Sequence, residues 1–313
     1  MEWTVSTDER GLRLDKFLAE PGRLGSRRRA SVALDRGKVF VNAVEAARDA
    51  AARRLEAGDL VRVWMDRPGS AHGRGPRRSG DLRIIFEDDA LLVLDKPAGL
   101  LAVPLERRGG APSVFDQVLA YLRPQGKRRP LVVHRIDRDT SGLVVFAKNA
   151  AAQNRLKAQF KRRTVERVYW AVVYGRPDPP AGAWRDRLVW DQRALIQKET
   201  HPRDPRGMDA ISHYRVIEAF GETSGTAASL VEIRLETGKR NQIRLQARLR
   251  GHTLVGERRY VFGPDELRPI QFERQALHAY QLGFDHPISR EPLRFEAPIP
   301  ADFNDLLTRL RRP

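Results

Sequence analysis

The sequence predicts an α+β protein with a small N-terminal module, a basic linker and a larger body whose sheet is mixed but mostly antiparallel. Residues 67–80 contain four arginines, four glycines and two prolines but no acidic residue, a composition typical of a flexible linker. This linker separates a head of residues 1–66 from a body of residues 81–313. In the body, apolar segments of strand length outnumber helical patterns, and this balance favours the α+β class.

The head begins with two predicted helices. Residues 13–18 carry apolar side chains at helical spacing and open the first of them. Ser26 is a suitable N-cap for the second, over residues 27–36. The inward positions of this helix are alanines and a leucine, so Arg27 and Arg28 face outward. Two predicted strands complete the head, over residues 38–42 and 60–64.

The body opens with a predicted β-hairpin, in which two apolar segments flank the acidic turn 87–89. Ser113 and Asn149 are polar residues placed directly before helical patterns, so both are predicted N-caps. A third helix is predicted over residues 241–250. The remaining predicted strands are residues 131–133, 143–147, 168–174 and 230–235.

Charge is the strongest signal in the composition. The chain has 57 Lys and Arg against 40 Asp and Glu, which gives a net charge of +17 at pH 7. A positive field of this size attracts polyanions, so nucleic acid is the natural partner. An arginine-rich composition without functional meaning is the alternative explanation. No apolar run approaches the roughly 20 residues of a membrane span, so no membrane partner is expected.

Composition also limits the chemistry. The chain contains no cysteine, which excludes disulfides, thiolate catalysis and cysteine-ligated zinc, and fits a cytoplasmic protein. The N-terminus shows no basic region followed by an apolar run, so no export signal is expected. His134 and His252 lack the spacing of metal ligands and are predicted to be structural. We therefore expect neither a metal nor another cofactor.

One loop carries the clearest chemical signal. Asp137 lies between two predicted apolar strands and has Arg135 and Arg138 as close neighbours in the chain. A carboxylate among arginines is favoured in its ionised form and can serve as a nucleophile or a base. An isolated loop aspartate more often makes only local hydrogen bonds in a turn. The surrounding phrase, His-Arg-Ile-Asp-Arg-Asp-Thr-Ser-Gly over residues 134–142, favours the catalytic reading.

This phrase resembles the second motif of the RluA-type RNA pseudouridine synthases, and further motifs of that family follow in order. The resemblance covers about residues 82–305 and implies the pseudouridine synthase fold with a catalytic cleft. The head resembles the S-four-like RNA-binding module, which implies RNA contact by Arg27 and Arg28. The other matching segments are Val93–Leu100, the strand around Tyr169, Thr237–Arg244, Gly251–Gly256, Gln275–Ala279 and Phe295–Pro298.

The resemblance implies a role for each matching residue. Asp137 is the catalytic aspartate, which either attacks carbon 1 of the target ribose or removes the proton at carbon 2. Arg135 fills the gap left by the extruded base. Tyr169 stacks on the flipped base, and Arg244 pairs with Asp137. Arg138 and Lys239 are also assigned to RNA contact, as neighbours of these residues in the matching motifs.

Three positions depart from the usual family pattern. Lys239 and Asn241 stand where arginine and histidine are usual, and Glu257 stands where aspartate is usual. None of them is one of the three predicted catalytic residues, so we expect the chemistry to be retained. Contacts with RNA in this region are expected to differ.

The resemblance implies an isomerase that converts a uridine of structured RNA, in the first place 23S ribosomal RNA, into pseudouridine. A transfer-RNA substrate is the first alternative, and a non-catalytic RNA-binding protein with the same fold is the second. A phosphatase with paired aspartates is excluded, because three residues separate the strand end at Val133 from Asp137 and the following Thr140 is one position too early. We expect a monomer without an obligate protein partner.

Overall fold

A computed structural model describes most of the chain and contains two separate β-sheets. None of the helices in its described part is long and apolar enough to cross a membrane. The described residues are 1–35, 37–46, 48–65, 76–104, 111–123, 129–221, 227–261, 263–264 and 268–312.

The head folds around its own hydrophobic core. Its four strands form an antiparallel sheet in the order β1-β4-β2-β3, and both helices pack on one face of it. The predicted cap is confirmed, since the Ser26 hydroxyl accepts a hydrogen bond from the Arg29 amide at 3.2 Å. The first and third strands were not predicted. The head elements are β1 (Glu2–Thr4), α1 (Leu14–Ala19), α2 (Arg27–Asp35), β2 (Val39–Val41), β3 (Val44–Ala46) and β4 (Leu60–Val63).

The body contains a twelve-stranded sheet in which almost all neighbours are antiparallel, as predicted. Its path runs β12-β11-β13-β14-β10-β15-β9-β7-β6-β5, while β16 pairs with β15 and β8 pairs with β9. The strands are β5 (Arg77–Ser79), β6 (Leu82–Glu87), β7 (Leu91–Lys96), β8 (Leu131–Val132), β9 (Ser141–Ala147), β10 (Glu166–Tyr174), β11 (Ala181–Asp191), β12 (Ile196–Glu199), β13 (Met208–Phe220), β14 (Ala228–Leu235), β15 (Leu277–Asp285) and β16 (Pro292–Glu296). The helices are α3 (Val114–Leu122), α4 (Ala150–Arg162), α5 (Gln242–Leu249) and α6 (Ala301–Leu310).

The predicted linker extends too far at its C-terminal end. Residues 77–79 form β5, which pairs antiparallel with β6, so this part of residues 67–80 belongs to the body sheet. Backbone hydrogen bonds to β6 hold a segment whose composition alone indicates a loop. Residues 66–75 lie outside the described residues.

The centre of the large sheet positions the loop around Asp137. This loop connects β8 to β9, and β9 lies between β7 and β15, with its first residues parallel to β15. Gly142 has φ +107°, and a Cβ there would lie 2.2 Å from the Ala279 carbonyl oxygen. Glycine is therefore required where β9 starts against β15, which explains the glycine of the Thr-Ser-Gly phrase.

His278 on β15 is expected to make the free energy of unfolding of the protein depend on pH. Its side chain is fully buried, Nδ1 lies 2.9 Å from the Ser141 hydroxyl, and burial lowers its pKa from 6.5 to about 4. Between these values the unfolded chain binds a proton that the folded chain excludes, so stability falls on acidification. We expect the wild type to lose about 1.4 kcal/mol more per pH unit than His278→Gln between pH 6.5 and 4.5. Equal slopes in urea unfolding of the two proteins would contradict this.

Candidate active site

A cavity of about 320 Å³ opens where the β8–β9 loop, β10 and the start of α5 meet. Asp137, Tyr169 and Arg244 all line it, so the fold brings the three predicted catalytic residues together from distant parts of the sequence. Arg135 and Lys239 line it as well. The cavity therefore contains five of the eight predicted site residues.

Asp137 is held through one of its two carboxylate oxygens. Oδ2 accepts hydrogen bonds from Asn241 Nδ2 at 2.6 Å and from Arg244 Nη1 at 3.2 Å. Among the described residues, no hydrogen bond reaches Oδ1. The side chain is 28% exposed, so the second oxygen is accessible from the cavity. Two donors on Oδ2 fix the carboxylate and leave Oδ1 available for chemistry.

Glu257 holds Arg244 in place. Two hydrogen bonds of 2.6 Å join Nε and Nη2 of Arg244 to the two carboxylate oxygens of Glu257, whose side chain is 0% exposed. Burial disfavours the charged form of Arg244, but the hydrogen bonds and charge of Glu257 outweigh it and raise the pKa of Arg244. Such a bidentate pair orients the guanidinium, so its remaining nitrogen points to Asp137.

Asn241 is positioned by a chain of hydrogen bonds. It precedes α5 in a left-handed conformation with φ +52°, which asparagine tolerates better than most residues. Its side-chain oxygen accepts from the Tyr260 hydroxyl at 3.3 Å, and that hydroxyl accepts from the Gln197 amide at 3.1 Å. The amide of Asn241 is thereby directed at Asp137.

All three departures from the family pattern lie at the site, since Lys239 lines the cavity and the other two contact predicted catalytic residues. Sequence reasoning missed these two contacts. Asn241 contacts Asp137, and Glu257 contacts Arg244. The three-residue spacing of Asn241 and Arg244 could have indicated the first contact, because residues so spaced share one face of a helix. Glu257 lies beyond the helix and offers no such local signal.

Tyr169 lies on β10 and is nearly buried, with 9% of its surface exposed. Burial raises the pKa of its hydroxyl, so the neutral phenol is the form present at neutral pH. Arg167, two residues earlier on the same strand, also lines the cavity, and its guanidinium lies 5.6 Å from the Phe160 ring. Sequence reasoning did not identify Arg167 or Phe160 as cavity residues.

Three predicted RNA-contact residues lie outside the cavity lining. Arg138 forms two hydrogen bonds with the neighbouring Asp139, at 3.0 and 3.2 Å, and is exposed. Arg27 and Arg28 are exposed on α2 of the head. These positions are compatible with contacts to RNA outside the cavity.

Two buried cations hold the backbone of the catalytic loop. Lys96 is 0% exposed, and its ammonium group donates to the carbonyls of Pro97, Leu100 and Arg138 at 2.7–2.8 Å. Burial lowers the pKa of Lys96 to about 7. Arg274 donates to the carbonyl of Asp139 at 3.1 Å. The backbone next to Asp137 is thus fixed to two other parts of the body.

The histidines near the site make structural contacts. His134 Nε2 accepts from the Val145 amide at 3.1 Å, and its ring stacks on Phe160 with centroids 4.8 Å apart. Burial lowers the pKa of His134 to about 3. His252 Nδ1 donates to the Tyr174 carbonyl at 3.0 Å. Within the described residues, no group of three or more His, Asp or Glu is arranged to hold a metal ion.

Comparison with known proteins identifies relatives along nearly the whole chain. A family described as RNA pseudouridylate synthase matches residues 90–249. An uncharacterized RNA pseudouridine synthase, YlyB of Bacillus subtilis, is 36% identical over 99% of this chain and 97% of its own length. The ribosomal large subunit pseudouridine synthase D of Zymomonas mobilis is 35% identical over 98% of this chain and 96% of its own length.

The solved structures agree at the level of the fold. The human RNA pseudouridylate synthase domain containing 4 superimposes with a TM-score of 0.59 at 22% identity, covering 73% of this chain and 92% of that protein. The human RNA pseudouridylate synthase domain containing 1 gives a TM-score of 0.56 at the same identity. The predicted fold class is therefore confirmed.

Proposed function

The chain belongs to the RNA pseudouridylate synthase family, in its RluA-type branch, and is an RNA pseudouridine synthase, and we propose that it acts on one uridine of large-subunit ribosomal RNA with Asp137 as its catalytic group. The observation that carries this proposal is the Asp137 carboxylate on the cavity wall, bonded through Oδ2 alone. Relatives named for the ribosomal large subunit and similar along almost their full length support the choice of RNA.

Isomerisation exchanges one bond between base and ribose for another. The bond from N1 of uracil to carbon 1 of the ribose breaks, the base rotates, and carbon 5 bonds to carbon 1. Carbon 5 then loses its proton and N1 carries one in the product, so the composition is unchanged. Asp137 either attacks carbon 1 as a nucleophile or removes the proton at carbon 2 as a base. Its free Oδ1 suits both routes, while Arg244 and Asn241 keep the carboxylate oriented in either.

The target base has to leave its stack to reach Asp137, because the ribose carbon is inaccessible within stacked RNA. The cavity holds the extruded base against the Tyr169 ring, which supplies an apolar face. Arg135 is exposed in the loop beside Asp137, in a position to occupy the gap in the RNA.

Electrostatics supports binding of a large RNA by both parts of the protein. The net charge of +17 favours polyanions, and the head presents Arg27 and Arg28 on an exposed helix face. We assign the head, residues 1–66, as an S-four-like RNA-binding module, and the body, predicted as residues 81–313 and extended to include β5, as the catalytic domain. Since its proposed substrate is ribosomal RNA, we place the protein in the cytoplasm. We also expect it to act as a monomer.

The test compares two RNA classes in one assay. The purified protein is incubated with unmodified transcripts of large-subunit ribosomal RNA and of transfer RNAs, and pseudouridines are mapped by chemical labelling and primer extension. We expect new pseudouridine at one site or a few neighbouring sites of the ribosomal transcript. Conversion confined to transfer RNA would overturn the ribosomal assignment, and binding without conversion of either RNA would support the non-catalytic alternative.

A further inference from the structure

A cluster of basic side chains covers the outer side of α4 and is not used by the chemistry described above. The cluster, termed the α4 basic face, consists of Arg155, Lys157, Lys161 and Arg162 on α4 together with Arg290 in the turn after β15. All five residues are exposed. The helix itself, residues 150–162, contains no acidic residue.

A groove of about 280 Å³ runs between α4 and the turn after β15, and Arg155, Arg162 and Arg290 contribute to its walls. The walls are firmly connected. Arg155 donates to the Pro287 carbonyl at 2.7 Å, and the Gln159 side chain bonds both the amide and the carbonyl of Asp285 at 2.9 and 2.8 Å. Asp285 is the one acidic residue among the lining residues, so three arginines face a single carboxylate.

Some exposed arginines of the chain have a carboxylate partner and others do not, and the five cations of the α4 basic face belong to the second group. Within the described part of the chain, none of the five is paired with a carboxylate. Arg163, directly after α4, pairs with Glu236 at 3.0 Å, and Arg311 pairs with Glu218 at 2.7 Å. Basic residues in a last helical turn interact favourably with the helix dipole, which accounts for two of the five. The remaining three lie outside that turn and need another explanation.

The same helix forms a wall of the catalytic cavity. Phe160 lines the cavity and stacks on His134, whereas its neighbour Gln159 lines the groove. At about 100° per residue, Lys157 and Lys161 lie about 60° and 100° around the helix from Phe160. The two arginines of α4 lie on the far side of the helix, at the groove, and all four cations are within about 8 Å of Phe160 along the helix axis. RNA whose target base enters the cavity would therefore pass close to the α4 basic face.

We propose that the α4 basic face binds the phosphodiester backbone of the RNA that flanks the target uridine. The inference rests on the proposed function and adds the path of the substrate outside the cavity. Unpaired cations on a rigid surface attract phosphates irrespective of base sequence. None of the five residues is aromatic, so the surface lacks the stacking platform by which bases themselves are held.

The test neutralises three of the five charges. Lys157→Gln, Lys161→Gln and Arg162→Gln are combined, while Arg155 is kept because it bonds to the Pro287 carbonyl. Binding of a large-subunit ribosomal RNA transcript is measured over a range of salt concentrations. We expect about a tenfold or greater loss of affinity near 0.1 M salt, and a slope of log affinity against log salt that is shallower by about 2.

Two controls separate this proposal from its alternatives. Arg312→Gln removes an exposed charge beyond α6, which packs on a different part of the core, and is expected to bind as the wild type does. The single-turnover rate at saturating RNA is expected to stay unchanged in the triple variant. Unchanged affinity and slope, or a lost rate with intact affinity, would overturn the proposal. Because binding is read without product formation, failure of the proposed function would show separately, as a wild type that binds but does not convert.

Discussion

Asp137→Asn is expected to lower pseudouridine formation on ribosomal RNA by at least about 10⁴-fold while leaving RNA affinity within about threefold of the wild type. The amide can neither attack carbon 1 nor accept the proton at carbon 2, so both routes lose their reacting group. Binding survives because it depends mainly on phosphate contacts distributed over the protein. Single-turnover conversion and filter binding with the same transcript measure the two quantities.

The substitution leaves the surrounding structure intact. Arg244 keeps its bidentate partner Glu257, so the loss of the Asp137 charge does not leave a buried cation unpaired. Asp139→Asn, two residues along the same loop, is the matched control, because Asp139 pairs with exposed Arg138 and does not line the cavity. We expect it to retain most of the activity. Conversion by Asp137→Asn at a rate near that of Asp139→Asn would reject the assignment of Asp137.

Sequence reasoning succeeded where the signal is local. The helix starts marked by Ser26, Ser113 and Asn149 are all present, and each side chain accepts a hydrogen bond from a backbone amide of the first turn. A cap is decided by residues within three positions of each other, so a short window of sequence contains the whole interaction. The loop between two apolar strands was located for the same reason.

Interactions between distant segments of the chain could not be predicted from the sequence. The bond between Asn241 and Asp137 joins residues 104 positions apart, and its direction depends on Tyr260 and on the backbone of β12. The long strands β11 and β13 were not predicted either. Buried residues occur only singly along both strands, and in β11 only Trp184 and Leu188 are buried, so neither strand contains the continuous apolar run that marks the central strands.

Arg244→Gln is expected to lower both activity and stability. Glu257, whose side chain is 0% exposed, would lose its cation and remain as an uncompensated buried charge. Breaking a buried pair in this way costs about 3–5 kcal/mol of the free energy of unfolding. Asp137 would lose its cationic neighbour at the same time, and we expect the single-turnover rate to fall by about 10²–10³-fold. Urea unfolding and single-turnover conversion measure the two effects.

The double variant Arg244→Gln with Glu257→Gln separates structure from chemistry. It replaces the buried ion pair with two amides that can bond to each other, and because no unpaired buried charge remains, we expect it to recover most of the stability lost in the single variant. The cation beside Asp137 remains absent, so the activity should stay as low as in Arg244→Gln alone. If activity returned together with stability, Arg244 would serve only to hold the fold. A stable but inactive double variant would instead show that Arg244 contributes its charge to the reaction. The single and double variants would then differ in stability and yet be equally inactive, because both lack the cation beside Asp137.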